Sequence, residues 1–178
     1  MTQDANTRLL ALQPPKIPLQ IRTVTPKDID ALCADCWSHR PVARSRELIR
    51  MIKESEKFRR GLGVVVMNPD DEAAIIAYGQ VMHWTKCAEI SDLVVSEAYR
   101  SRGIGTAIIQ YLIHNIALDS IRCIEIGVAQ KNVRAAALYR RLGFTHYSTI
   151  QIRLDSDEEE AVDYLRITLE KSDKSSDQ

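Results

Sequence analysis

The chain has 178 residues, with lysine plus arginine matching aspartate plus glutamate at 24 each, so its formal charge is zero and no global field draws it to nucleic acid. Aromatic residues make up 6% of the sequence, too few for a base-stacking surface, and no stretch reaches membrane-spanning length. The length suits one domain with an ordinary core. The start, with Asp4 ahead of Arg8 and only a short apolar run from Leu9 to Leu12, lacks the order of a signal peptide, so the expectation is a soluble cytoplasmic protein with neither a membrane nor a nucleic-acid partner.

Residues 1–19 hold Pro14, Pro15 and Pro18 among polar residues and read as a flexible N-terminal arm; residues 20–170 read as the folded domain and 171–178 as a disordered tail. Gln20 to Val24 alternates like a strand. Thr25-Pro26-Lys27-Asp28 supplies an N-cap, a proline at the first helical position and a first-turn carboxylate, so a helix is predicted from Pro26 to Trp37. After a break containing Pro41, a second helix is predicted over Ser45 to Phe58, with Leu48, Ile49 and Ile52 on one side. Leu62 to Met67 and Ala73 to Trp84 flank the turn Asn68-Pro69-Asp70-Asp71 and form a hairpin. Cys87 to Val95 is the next strand, followed by a helix over Gly105 to Leu118 and a strand over Arg122 to Ala129. That order is a right-handed βαβ unit with parallel pairing. A helix starting near Asn132 carries Ala135, Leu138, Tyr139 and Leu142 at helical spacing and ends at Gly143. Phe144 to Leu154 and Asp163 to Leu169 read as the last two strands. The acidic run Asp155 to Glu160 between them reads as a solvated loop or, functionally, as an acidic lip for a cationic amine.

Cys33 and Cys36 have redox-motif spacing but fall on the apolar face of the first helix, and no second pair completes a zinc site, so they read as packing thiols. Cys87 and Cys123 lie in strand-like runs, and no disulfide is expected of them. His39, His83, His114 and His146 have no metal-ligand spacing, so no metal is expected.

The chemistry concentrates at Arg100-Ser101-Arg102-Gly103-Ile104-Gly105-Thr106, a glycine turn between strand and helix. Unpaired N–H groups of the first helical turn, backbone freed by glycine, and flanking guanidinium groups together suit a pyrophosphate or phosphate ester. A P-loop would need Lys-Ser/Thr after the second glycine, and a dinucleotide fingerprint a small residue where Ile108 stands. Arg100, Gly103 and Gly105 instead follow the Arg/Gln-x-x-Gly-x-Gly/Ala signature of the GNAT superfamily of acyl-CoA-dependent N-acyltransferases, which this sequence resembles. Asn132 to Phe144 resembles the second signature of that family, Asn-x-x-Ala-x-x-Leu-Tyr-x-x-x-Gly-Phe, in the expected order.

The resemblance implies an α+β fold, with a single mixed, largely antiparallel sheet of six or seven strands, a parallel βαβ acetyl-CoA-binding unit and helices on both faces. It implies that acetyl-CoA is the cosubstrate, held by Arg100, Ser101, Arg102, Gly103, Ile104, Gly105 and Thr106 at its pyrophosphate. The backbone of Leu93, Val94 and Val95 would then meet the pantetheine arm and thioester, with Asn132 at the arm or serving as a helix cap. Tyr139 is placed as the acid facing the leaving thiolate; a phenol, at about 10, stays protonated at neutral pH beside a thiol at about 8.5. For the base, Glu89 resembles the strand glutamate of the GNAT histone acetyltransferases; Asp92 or a water chain are alternatives. The ribosomal-protein alanine acetyltransferases carry a glutamate where this chain has Gly127. The expected function is transfer of acetyl from acetyl-CoA to a primary amine, on a small molecule or a peptide, in one ternary complex. A non-catalytic acyl-CoA-binding regulatory module is the alternative, and a homodimer is left open.

Overall fold

The structure is a computed structural model that describes residues 17–116, 121–153 and 158–169, apart from the side chain of Glu72. Seven strands form one sheet, β1 (Gln20–Thr23), β2 (Gly61–Asn68), β3 (Asp71–His83), β4 (Cys87–Val95), β5 (Cys123–Ala129), β6 (Thr145–Arg153) and β7 (Glu159–Thr168). Their order across the sheet is β1-β2-β3-β4-β5-β7-β6. Only β4 and β5 pair in parallel; the other neighbours are antiparallel. Among the described residues four α-helices accompany the sheet, α1 (Ile29–Asp35), α2 (Val42–Lys57), α3 (Ile104–Asn115) and α4 (Val133–Arg141). The mixed sheet and parallel unit implied by the resemblance are present. Among the described residues no helix is long and apolar enough to cross a membrane.

The sheet separates two apolar cores. On one face Ile104, Ile108, Ile109, Leu112 and Ile113 of α3 join Ala136 and Tyr139 of α4 against Val64, Val66, Ile90, Ile124 and Ile126. On the other, Leu32 of α1 and Ile49 and Ile52 of α2 pack on Val65, Ile75 and Tyr78. Val64, Val65 and Val66 are all fully buried because β2 has helices over both faces, which is why this strand reads as a continuous apolar run rather than an alternation.

Element boundaries move for identifiable reasons. The first predicted helix divides into a 3₁₀ turn, Pro26–Asp28, and α1. Asp28 turns back to accept from the Thr25 N–H at 2.7 Å and from both ends of the Arg22 fork at 2.7 and 2.8 Å. At the other end the N–H groups of Cys36 and Trp37 converge on the Leu32 carbonyl, so the helix stops there. The second helix begins at Val42, directly after Pro41, whose carbonyl accepts from the Ser45 N–H. The last strand begins at Glu159 instead of Asp163, so the end of the acidic run belongs to the sheet. Glu159 and Glu160 face Arg153 and Ile152 in register, and Glu160 is ion-paired with Lys131. Residues 155–157 of that run, the arm up to residue 16 and the tail 171–178 lie outside the described residues. Ile17 and Leu19, at the end of the predicted arm, pack against the larger core.

The cysteine expectations divide. Cys33 and Cys36 are free thiols, and burial pushes the Cys36 thiol up to about 12, the value of a packing group rather than a nucleophile. Cys87 and Cys123, expected to be unpaired, form a disulfide. They are the first register partners of the parallel β4–β5 ladder, with Cα atoms 4.7 Å apart. Their strand setting does not prevent a bridge once the register puts them side by side. Cys87, Cys123 and Glu125 bring their ligand atoms within 4.8 Å of one another, but the sulfurs are bonded to each other and Glu125 is ion-paired with Arg166.

The disulfide, with a sequence separation of 36, closes a loop that contains β4 and α3 and ends at the first residue of β5. Loop-closure entropy puts its contribution at up to about 4 kcal/mol. Reductant is expected to lower the urea midpoint of the native chain and leave that of Cys87→Ser unchanged; equal responses would show that the bridge contributes nothing.

Candidate active site where two strands part

β4 and β5 pair only from Cys87 to Ile90 and from Cys123 to Ile126; beyond Ile90 the strands diverge and leave a wedge. At the same point β4 is out of step with β3. Tyr78 faces Val94 and Gln80 faces Ser91, so β4 carries one extra residue opposite Gly79. Asp92 takes up the excess in the left-handed region at φ 52°. That conformation costs a non-glycine residue roughly 1–3 kcal/mol, so the surroundings must hold it. Asp92 accepts from Arg40 Nη2 at 2.6 Å and from Gln80 Nε2 at 3.2 Å, and Gln80 in turn accepts from the Tyr78 hydroxyl at 2.7 Å. Gly79 is required on the other side. A Cβ there would stand 2.6 Å from Cγ2 of Ile108 and 3.1 Å from Cδ1 of Leu93, so α3 could not close onto the bulge.

Leu93, with Val94 and Val95, borders a cavity of about 580 Å³ on the α3 side. The Ser96 N–H donates to Ile76 on β3, so strand alternation turns the Val95 backbone toward the wedge, where its carbonyl accepts from Arg100 Nε at 3.1 Å. The loop supplies the cavity floor with Arg100, Ser101, Gly103, Ile104, Gly105 and Thr106. Ser101 at φ 64° and Gly103 at φ 86° are both left-handed, and Gly103 is the N-cap of α3. This curl aims the first-turn amides and the positive end of α3 at one spot, the arrangement that binds phosphate. Arg102 does not border the cavity; its guanidinium lies over the Tyr99 ring, 5.1 Å from the centroid.

α4 forms the far wall. Asn132 caps it, accepting from the Ala135 N–H at 3.1 Å, and also borders the cavity, so its two sequence readings are compatible. Tyr139 borders the cavity while only 5% exposed, its ring packed against Phe144. Burial pushes its phenol up to about 12, which keeps it a proton-bearing donor throughout the neutral range. Two cations on this wall escaped the sequence reading. Arg134 donates to the Ser101 hydroxyl and ties helix to loop, and Arg141 lies one turn beyond Leu138. The second signature spans both, but they fall at its unspecified positions.

Asp92 borders a second cavity, of about 610 Å³, between β4 and the α1–α2 connection, with Trp37, His39, Arg40, Arg44 and Met51 around it. Glu89 borders neither cavity. It accepts from the Trp84 indole at 2.9 Å and the Tyr164 hydroxyl at 3.4 Å, on the stretch of β4 still paired with β5.

Residues 28–144 match the profile of the Acetyltransferase (GNAT) family. A protein of Methanocaldococcus jannaschii named as an uncharacterized N-acetyltransferase is 36% identical over 64 residues, 36% of this chain and 28% of its own. The mycothiol acetyltransferase of Corynebacterium glutamicum is 34% identical over 68 residues, 35% of this chain and 23% of its own. The chain thus matches about a quarter of the length of these curated relatives. Among solved structures, a GNAT phosphinothricin acetyltransferase of Sinorhizobium meliloti in complex with acetyl-CoA superposes with a TM-score of 0.69 at 15% identity, over 86% of this chain and 89% of that one. A ribosomal-protein-alanine N-acetyltransferase of Brucella melitensis gives 0.67 at 16% identity, over 84% of this chain and 99% of that one. At such identities the superpositions speak for the fold, and the profile, which spans most of the chain, decides membership: this protein belongs to the GNAT acetyltransferase family.

Proposed function

We propose that the protein transfers the acetyl group of acetyl-CoA to a primary amine by direct attack within one ternary complex. The observation that carries this reading is the placement of two cavities against adjacent residues, Leu93 in one and Asp92 in the other, at the bulge where β4 leaves β5. A thioester reaching the bulge from the loop would meet an amine arriving from the α2 side. The acetyl-CoA bound to the Sinorhizobium neighbour supports the choice of cosubstrate.

In this scheme the α3 amides with Arg100, Arg134 and Arg141 hold the phosphates, and the Val95 backbone faces the pantetheine arm. The amine nitrogen attacks the thioester carbonyl, whose oxygen takes the developing charge beside the wedge-facing amides of β4. The C–N bond forms and the C–S bond breaks. Asp92, the carboxylate at the bulge, receives the proton lost from nitrogen, directly or through water. Tyr139 donates a hydrogen bond to the departing thiolate. With the phenol at about 12 and a thiol at about 8.5, complete transfer of the Tyr139 proton is uphill, so the thiolate is protonated from solvent and the tyrosine stabilises it.

Gly103→Val should weaken acetyl-CoA binding by about tenfold or more, read by calorimetry, with an unchanged circular dichroism spectrum; retained affinity would remove the loop from the cofactor site. Tyr139→Phe should lower kcat by about ten- to a hundredfold at constant acetyl-CoA affinity. Its pH profile gives a second reading. The donor is intact below its pKa and lost as pH rises through about 12, so any alkaline limb below roughly pH 10 should be common to wild type and Tyr139→Phe. Asp92→Asn should cost about a hundredfold in turnover with cofactor binding kept, while Glu89→Gln stays near wild type; the reverse pattern would give the base to Glu89. Acetyl-CoA binding without turnover on any amine would favour the regulatory-module reading.

A further inference from the structure

The wall of the second cavity carries an ion pair, and the order of its charges restricts what can bind there. Arg40 and Asp92 both border the cavity, their side chains 33% and 21% exposed, with Arg40 Nη2 2.6 Å from Asp92 Oδ1. The pair is built in from behind. Gln80, 6% exposed, donates to Asp92 and to Ser91 while accepting from the fully buried Tyr78. The Arg40 guanidinium lies over the buried Trp37 ring, 4.9 Å from its centroid, and Trp37 packs edge-on to Tyr78. Arg40 uses one of its five N–H groups on Asp92, and a carboxylate can accept about four hydrogen bonds, so both partners can take a further ligand without separating.

A simple cation brought to Asp92 meets the charge of Arg40 alongside, and a simple anion brought to Arg40 meets Asp92. A ligand with both charges, spaced like the pair and running in the opposite order, is attracted at both ends. Its ammonium would lie on Asp92, beside the bulge, and its anion on Arg40, with Arg44 as a second guanidinium on the same cavity wall. Charges one carbon apart match an ion pair in direct contact. Leu48 and Met51 add an apolar side to the cavity. Glu160, at the end of the acidic run, is engaged by Lys131.

We infer that the acceptor is a free α-amino acid with an apolar side chain, bound head to tail on the Arg40–Asp92 pair, so that its ammonium is the group delivered to the thioester. This rests on the acetyl-transfer reading and narrows it: the carboxylate of the acceptor becomes the handle for recognition and its amine the nucleophile.

The test compares three forms of one carbon skeleton, methionine, methioninamide and 3-methylthiopropylamine, and repeats the series with leucine, leucinamide and isoamylamine. CoA release is followed at saturating acetyl-CoA, and acceptor binding to the CoA complex by calorimetry. The amino acids should exceed their amides and decarboxylated amines in kcat/KM by at least about tenfold. Arg44→Gln should raise KM for the amino acids by about tenfold, with kcat little changed and the amides unaffected. Equal or better use of the amides, or of spermidine, would overturn the inference. So would acetyl-CoA binding accompanied by no amino-acid binding and no turnover, which leaves the cofactor site standing. Failure to bind acetyl-CoA would instead remove the acetyl-transfer reading and this inference with it.

Discussion

One surplus residue in β4 is the constraint on which the rest of this structure depends. Opposite Gly79 the strand has to find room for Asp92, and it does so by entering the left-handed region and leaving the ladder with β5. A regular strand would have kept its amides paired and sent alternate side chains into two closed cores. The bulge breaks the pairing and frees backbone on the wedge side, where Asp92 and Leu93 border separate cavities. The glycine loop then follows within a few residues, so the distance from the N-terminus of α3 to the wedge is set by the short Glu97–Tyr99 turn.

Both cores converge on this irregularity. From the α3 face, Ile108 and Leu93 close on Gly79, where only the absence of a side chain permits contact. From the α1–α2 face, Trp37, Tyr78 and Gln80 form a chain of ring contact and hydrogen bonds ending on Asp92. An unfavourable backbone conformation is thus held by groups with little freedom of their own, since the members of that chain are nearly all buried. The geometry at the bulge is a product of packing.

How much of this was legible in the sequence depended on whether the signal was local. The glycine turn at Gly103 and the cap at Asn132 depend on a few consecutive residues, and they lie where their spacing indicated. The alternating and periodic apolar patterns gave the strands and helices to within a few residues, because burial on one face leaves a period. The bulge leaves none, since Asp92 is unremarkable in composition and its surplus appears only when β4 is counted against β3. Gly79 looked like any strand glycine. Cys87 and Cys123 are neighbours through the parallel register, which tertiary packing fixes. Arg40 and Arg44 fell in and beside a connection read only as a break between helices, and arginines there look solvated until the strand opposite is known to present an acid.

The bulge has a further consequence for traffic through the molecule. Leu93 borders the cavity lined by α3 and α4, and Asp92 the one lined by the α1–α2 connection and the start of α2, so the two cavities share no lining residue. In the proposed transfer, that separation imposes no binding order on cosubstrate and acceptor.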